Sequence, residues 1–256
     1  MPPIVPERQR ACRGRLIVGP ELASGEVMFL RSAPRWPWAV PLLCLALCGA
    51  AAAQDLAEAP PQVDPALQQA LDAYAQGRWA EAARSFEALA RQGQPVAQHD
   101  LAAMHLRGEV PHASVATALH WLLQAADAGF VTSQQALGEL YESGRLGWKD
   151  LPQAVAWYHR AAEAGSPQAQ LEMGTACFLG RGTPQDLAQA ARWYRQAALA
   201  GDLGAMYILA SMYEKGEGVD ANRRLARYWY AAAADAGDEA APYKVKELTD
   251  AEAPSP

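Results

Sequence analysis

Glycine recurs at Gly93, Gly129, Gly165, Gly201 and Gly237, every 36 residues without a slip. A period of that length commits a chain to stacking one small supersecondary unit on the next. Three further series keep the same interval: Gly108, Gly144, Gly180 and Gly216; Trp121, Trp157, Trp193 and Trp229; and Ala118, Ala154, Ala190 and Ala226. Between the two glycine series lie segments such as VAQHDLAAMHLR and GAMYILASMYEK. Their apolar stripes, Leu101, Met104 and His105 in one and Leu209, Met212 and Tyr213 in the other, have helical spacing. The glycine after each segment stops the helix, because it enters the left-handed region without a steric penalty.

A second helix follows in each unit. Ser114, Asp150, Asp186 and Asn222 also stand 36 apart, and each is a residue whose side chain accepts from the free N–H groups of a helix start. The helix begun there carries the Ala118-type residue, the Trp121-type residue and an alanine pair such as Ala161-Ala162, with tryptophan expected to supply the buried area. Ser166-Pro167, Asp202 and Asp238 cap the first helix of the next unit. Each unit is therefore predicted as a helix of about 12 residues, a glycine-rich turn and a second helix of about 12. Four complete units fit, 94–129, 130–165, 166–201 and 202–237. Ahead of them DPALQQALDAYAQGRWAEAARSFEALARQG reads as a helical hairpin turning at Gln76-Gly77-Arg78, and behind them Glu239 to Leu248 reads as a half-unit cap. The solenoid is assigned to 65–249, with 54–64 and 250–256 as frayed, disordered flanks.

These residues resemble the Sel-one-like repeat family, relatives of tetratricopeptide repeats with a longer turn. The matching pattern is A-x-x-x-L-x-x-x-Y-x-x-G-x-G followed by A-x-x-W-Y-x-x-A-A-x-x-G, seen over Ala169 to Gly182 and Ala190 to Gly201, with Cys177 in the tyrosine place. It returns over Ala205 to Gly218 and Ala226 to Gly237, with Tyr213 in that place. The leading hairpin is similar to a tetratricopeptide unit instead. The resemblance implies an all-α fold, a right-handed α-solenoid of helix-turn-helix repeats, and a non-catalytic adaptor or scaffold that binds proteins or peptides, often in bacterial envelopes. Departures stand at Val110 and Leu146, where the family has a second turn glycine, and at His105 and Cys177, where it has tyrosine. The two turns lacking glycine are expected to be looser. A cysteine-rich branch of the family pairs cysteines within repeats, and the single repeat cysteine, Cys177, sets this chain apart from it.

Charge and the amino terminus narrow the setting. The chain of 256 residues has a formal charge of −6. Residues 1–53 hold six arginines against three acids, which leaves 16 basic and 25 acidic residues, a net of −9, for the rest. Such a surface excludes nucleic acid as a main partner, since phosphate binding needs a basic one. Arg31 and Arg35, the apolar stretch from Trp36 to Ala53 and the final Ala51-Ala52-Ala53 follow the order of an export signal over 28–53, cut near Ala53. The alternative is an uncleaved inner-membrane anchor, against which Pro37 and Pro41 interrupt the run. Residues 1–27 carry no pattern and read as an upstream extension, with Met28 as the start. Cys48 follows Leu47, a departure from the lipoprotein pattern. The mature chain is thus expected in the periplasm or outside the cell, touching the membrane only through the signal segment if it is uncleaved.

Catalytic motifs are missing: no P-loop, H-E-x-x-H, C-x-x-C or G-x-S-x-G is present. His99, His105 and His112 are spaced too widely for ligands on one helix face, and Cys177 falls at a core position. No metal, cofactor or enzymatic activity is expected. In tetratricopeptide-like stacks the first helix of each unit lines the concave face. The register places there His99, Ala103, Leu106 and Arg107, then Gln135, Glu139, Glu142 and Ser143, then Leu171, Thr175, Phe178 and Leu179, then Tyr207, Ser211, Glu214 and Lys215. Leu171, Phe178, Leu179 and Tyr207 would form an apolar floor flanked by Glu139, Glu142 and Glu214. That suggests a groove for a segment with apolar anchors and basic flanks. The competing expectation is that Phe178 and Leu179 pack into the next unit. A partner that is an envelope protein is the first reading; a peptidoglycan- or exopolysaccharide-binding module, with Trp79 and Trp148 stacking on sugars, is the second, and a hydrolase the last.

Overall fold

A computed structural model describes residues 64–250. Among them the leading hairpin is α1 (Pro65–Ala75) and α2 (Trp79–Arg91). Four longer-turned hairpins follow: α3 (Pro95–Arg107) with α4 (Val115–Asp127), α5 (Val131–Ser143) with α6 (Leu151–Glu163), α7 (Pro167–Leu179) with α8 (Leu187–Leu199), and α9 (Leu203–Lys215) with α10 (Arg223–Asp235). A last helix, α11 (Ala241–Asp250), stands without a second helix among the described residues. From α2 onward the main packing joins each helix to the next in sequence, which is the one-dimensional stacking of an all-α repeat solenoid. The export signal assigned to 28–53, the extension 1–27, the linker up to 63 and the tail from 251 lie outside the described residues.

The helix boundaries are those the caps dictate. Side-chain oxygens of Ser114, Asp150, Asp186 and Asn222 accept from the backbone N–H three residues on, at 3.4, 3.0, 2.9 and 3.1 Å. Ser166 and Asp202 do the same for α7 and α9, at 3.2 and 2.7 Å. One bonded series was not foreseen. Gln98, Gln134 and Gln170, again 36 apart and buried, donate from Nε2 to the carbonyls of Ala90, Ala126 and Ala162, at 3.1, 3.2 and 3.2 Å. Each ties the start of a first helix to the end of the preceding second helix, at a carbonyl that also accepts the N–H of Gly93, Gly129 or Gly165.

Packing departs from expectation at three of the four repeat tryptophans. Trp121, Trp157 and Trp193 are only half-buried, and the large side chain sealed in the core there is the next one, Leu122, Tyr158 or Tyr194; in the last repeat Trp229 is buried as expected, together with Tyr230. A Cβ on Gly138 would lie 2.4 Å from the Tyr158 ring and one on Gly174 2.7 Å from the Tyr194 ring, so these two helices carry glycine there, whereas the last repeat has Ala210 in that place, in one cluster with Tyr230. In the first repeat Leu122 replaces tyrosine, and alanine, Ala102, packs in the same cluster.

The turns divide into two kinds. Gly182 and Gly218 have φ of +73° and +72°, and a Cβ on them would stand 2.5 and 2.2 Å from the carbonyl oxygens of Leu151 and Leu187 at the start of the preceding second helix. Val110 and Leu146 occupy the matching places, and their turns are re-routed, not loosened. The left-handed residue moves on to His112 (φ 57°) in one and Gly147 (φ 96°) in the other. Val110 is buried with α1 and α2, and Leu146 packs on the cluster around Leu122.

Candidate functional site

The face made by the first helices α3, α5, α7 and α9 carries the residues nominated from sequence, and the structure brings them together unevenly. Between α5 and α7 a recess is lined by Glu142, Tyr158, Glu172, Thr175 and Arg181. Glu142 is its hub: Oε2 accepts from the Tyr158 hydroxyl at 3.0 Å and Oε1 pairs with Arg181 at 2.5 Å. Glu139 accepts from Gln135 Nε2 at 3.0 Å, and Gln135 Oε1 accepts from the Ser166 hydroxyl at 3.2 Å. Burial raises the Glu172 carboxyl above its usual range; Gln168 and Arg181 pull it down, while Glu142 and Glu139 push it further up. Burial first, then the Glu142 carboxylate, raise the Tyr158 hydroxyl as well, so it stays a donor.

The third and fourth units complete this surface. Leu171, Phe178 and Tyr207 are half-buried and lean on the core, whereas Leu179 is 55% exposed. The floor is therefore shared between core packing and solvent, with Leu179 its one fully presented apolar side chain. Thr175 donates to the Leu171 carbonyl at 3.0 Å and receives the Tyr194 hydroxyl at 3.2 Å. Glu214 repeats the Glu142 arrangement: it accepts from the Tyr230 hydroxyl at 2.8 Å and pairs with Lys244 at 3.2 Å. Burial works to raise the Glu214 carboxyl, but the bonds from Tyr230 and Lys244 outweigh it and hold it low. Ser211 sits one turn before Glu214 and hydrogen-bonds Tyr230, whose ring meets Tyr207 edge-on at 5.0 Å. Sequence reasoning confined to first-helix positions missed the tyrosines, which reach this face from the second helices. The legible signal was a tyrosine 16 residues after Glu142 and again after Glu214.

Other nominated residues stand elsewhere. His99 is 6% exposed, so it is a core residue and not a lining one; its Nδ1 lies 2.9 Å from the Ser133 hydroxyl. Burial, then Arg107, holds its imidazole down to about 4. Asp100 beside it is 3% exposed with Oδ2 unpartnered, and burial lifts its carboxyl to about 7 against the opposing pull of Arg107. Cys177 is buried and donates to Gln189 Oε1 at 3.1 Å; burial, then Asp186, raises the thiol and keeps it protonated. Trp148 is 61% exposed in its turn, and Trp79 is 41% exposed with its ring edge-on to Tyr74 at 4.7 Å. Among the described residues no group of three or more histidines, cysteines or carboxylates is placed to hold a metal ion, and no helix is long and apolar enough to cross a membrane. The surface presents carboxylates, hydroxyls and apolar side chains.

The Sel1 repeat matches residues 95–130, 131–166, 167–202 and 204–238, together more than half of the chain. The chain belongs to the Sel1 repeat family. Repeats of this family are generally protein-interaction modules and typically non-catalytic. A Sel1 repeat protein from Oxalobacter formigenes is similar at 37% identity and a TM-score of 0.61, over 66% of this chain and 49% of that one. The protective antigen c5321 of uropathogenic Escherichia coli, which displays the same repeat fold, is similar at 30% identity and a TM-score of 0.63, over 73% of this chain and 44% of its own. This chain thus spans about half the length of either relative. No match was found among curated proteins.

Proposed function

We propose that this Sel1 repeat protein is a non-catalytic adaptor of a cell-envelope complex, exported by residues 28–53 and released near Ala53, which holds a segment of a partner protein on its first-helix face. The observation that carries the reading is the recess lined by Glu142 and Glu172, with Glu139 one turn before Glu142 on α5 and Arg181 the one cation among the described lining residues. Beside it stand Leu171, Phe178, exposed Leu179 and Tyr207. A segment with basic side chains and apolar anchors complements that surface in charge and in apolar character.

The test is photo-cross-linking in cells from position 179, followed by capture of the mature chain and mass spectrometry. Leu179→Glu and Glu139→Lys are compared with the wild type, since both change an accessible side chain. One envelope protein recovered with the wild type and lost with both variants supports the reading; recovery indifferent to both ends it. The same sample reports the amino terminus, and a chain beginning before Met28 or retaining 28–53 contradicts release near Ala53. The glycan reading rests on the exposure of Trp148. Co-sedimentation with purified cell wall that Trp148→Ala abolishes would favour it over a protein partner.

A further inference from the structure

One place in the repeat frame is left unfilled. Between α2 and α4, over the first turn, lies a cleft floored by Ala83, Leu101 and Val110 and walled by the half-buried Trp121. Thirty-six residues on, the matching space is closed by Leu119, Leu123, Tyr141 and Leu146, all packed on the core. Here Ala83 and Glu87 of the leading hairpin and His105 and Val110 of the first repeat stand in those four places. In the second unit the place of Glu87 is taken by His159, edge-on to Trp193 at 5.6 Å, and in the third by Arg195, over the Tyr213 ring at 5.9 Å. Glu87 does not cover its gap in this way, because its carboxylate pairs with Arg91 one helical turn on, at 2.6 Å.

The cleft that results is rich in donors. His105 Nδ1 accepts the Ser114 backbone N–H at 3.3 Å, so the neutral ring carries its proton on Nε2 and offers it as a donor. Burial lowers the imidazole, Glu87 opposing, which favours that neutral form. Arg84 lines the same cleft, is exposed, and makes no ion pair or side-chain hydrogen bond among the described residues. The lining carboxylate, Glu87, is already paired. In a region that carries net negative charge, a recess of unpaired donors beside an apolar floor and an indole ring selects an anion that is attached to an apolar group.

We propose that this cleft receives the free carboxylate at the end of a peptide chain whose last side chain is apolar. The Arg84 guanidinium presents the planar fork that matches two carboxylate oxygens. The His105 N–H adds a directed donor, and Ala83, Leu101, Val110 and Trp121 take the side chain. An internal stretch of chain offers no such carboxylate. The cleft shares no lining residue with the recess between α5 and α7, so it stands or falls apart from the adaptor surface.

N-acetyl-leucine, N-acetyl-leucinamide and N-acetylmuramic acid are the probes, titrated into the isotopically labelled chain and followed by backbone and side-chain NMR shifts. The acid moves the signals of Arg84, His105 and Trp121, and the amide binds at least about tenfold more weakly, the loss expected when a charge-assisted bond is removed. Arg84→Gln weakens the acid to the level of the amide. Glu87→Leu, which supplies the side chain that stands 36 residues on at Leu123 and fills the gap, abolishes binding while thermal unfolding stays at or above that of the wild type. Equal binding of acid and amide, shifts that map elsewhere, or an Arg84→Gln chain that binds as the wild type does would each overturn the proposal. Preference for N-acetylmuramic acid over N-acetyl-leucine overturns it in favour of a sugar acid.

Discussion

The first repeat (94–129) and the last (202–237) share a 36-residue frame and fill it with different materials. At the third turn place the last repeat has Gly218, whose backbone comes so near the Leu187 carbonyl that a Cβ would lie 2.2 Å from it. The first repeat has a buried Val110 and shifts its left-handed residue to His112. On the first helix, His99 and Asp100 are buried where the last repeat places Tyr207 and Ile208. Helix positions are thus preserved while the space between them is closed either by backbone approach or by side chains. The first repeat buries a polar pair on its first helix, and the last closes its turn by backbone approach.

The contrast is broken hardest at Gly218. Gly218→Val demands a left-handed β-branched residue and drives its Cβ into a carbonyl, so equilibrium denaturation should show a loss of about 3 kcal/mol or more. Val110→Gly, the reverse exchange, should cost less, about 1.5–3 kcal/mol, the value of one buried apolar side chain. Equal costs would mean that the two turns are not the alternatives described.

The polar pair offers the next largest effect, and its two members act in opposite directions. Asp100, with its carboxyl lifted to about 7, contributes stability that is whole below the unfolded value of about 4 and is lost as pH rises through about 7. His99, held to about 4, contributes stability that is whole above the unfolded value of about 6.5 and is lost as pH falls through about 4. Between those limits the two slopes oppose each other. Denaturation across the pH range should therefore show Asp100→Asn gaining stability from pH 4 to 6.5, and His99→Gln losing it from pH 4 to 7, each by a few kcal/mol on the order of magnitude these shifts allow. A flat profile in both variants would remove the pH response from the comparison.

Smaller changes sharpen the picture. Gly174→Ala puts a Cβ 2.7 Å from the Tyr194 ring and should cost about 2 kcal/mol. Adding Tyr194→Leu, which rebuilds the Ala102 and Leu122 combination of the first repeat, should recover part of that loss, a coupling that a double-mutant cycle reads directly. The smallest effect belongs to the caps. Asn222→Ala should cost about 1 kcal/mol and Ser114→Ala less, because the Ser114 bond is the longer one, 3.4 Å against 3.1 Å.

Much of the fold was legible because its determinants are local. Asp186 caps α8 through its own chain three residues on, and glycine at 108, 144, 180 and 216 ends a helix by its own backbone freedom. The candidate site was half legible. First-helix residues such as Glu139, Glu142 and Leu179 follow from the register, but the hydroxyl of Tyr158 reaches Glu142 from the other helix of the hairpin. Spacing along one helix cannot show that. Tryptophan held at Trp229 and misled elsewhere for a related reason: its size suggested burial, yet Trp157 lies under the Arg160 guanidinium at 4.5 Å while the neighbouring Tyr158 is the side chain sealed between helices.

By itself the sequence determined the repeat, its caps and the all-α solenoid, since each rests on interactions within a few residues or on a period that only stacking can satisfy. The tertiary structure decided which members of each series are core. It showed Gln98, Gln134 and Gln170 tying hairpin to hairpin, and the first repeat left with a cleft that the second has filled. Those outcomes depend on side chains brought together from different helices, where a difference of one methyl group or one carboxylate settles what fits.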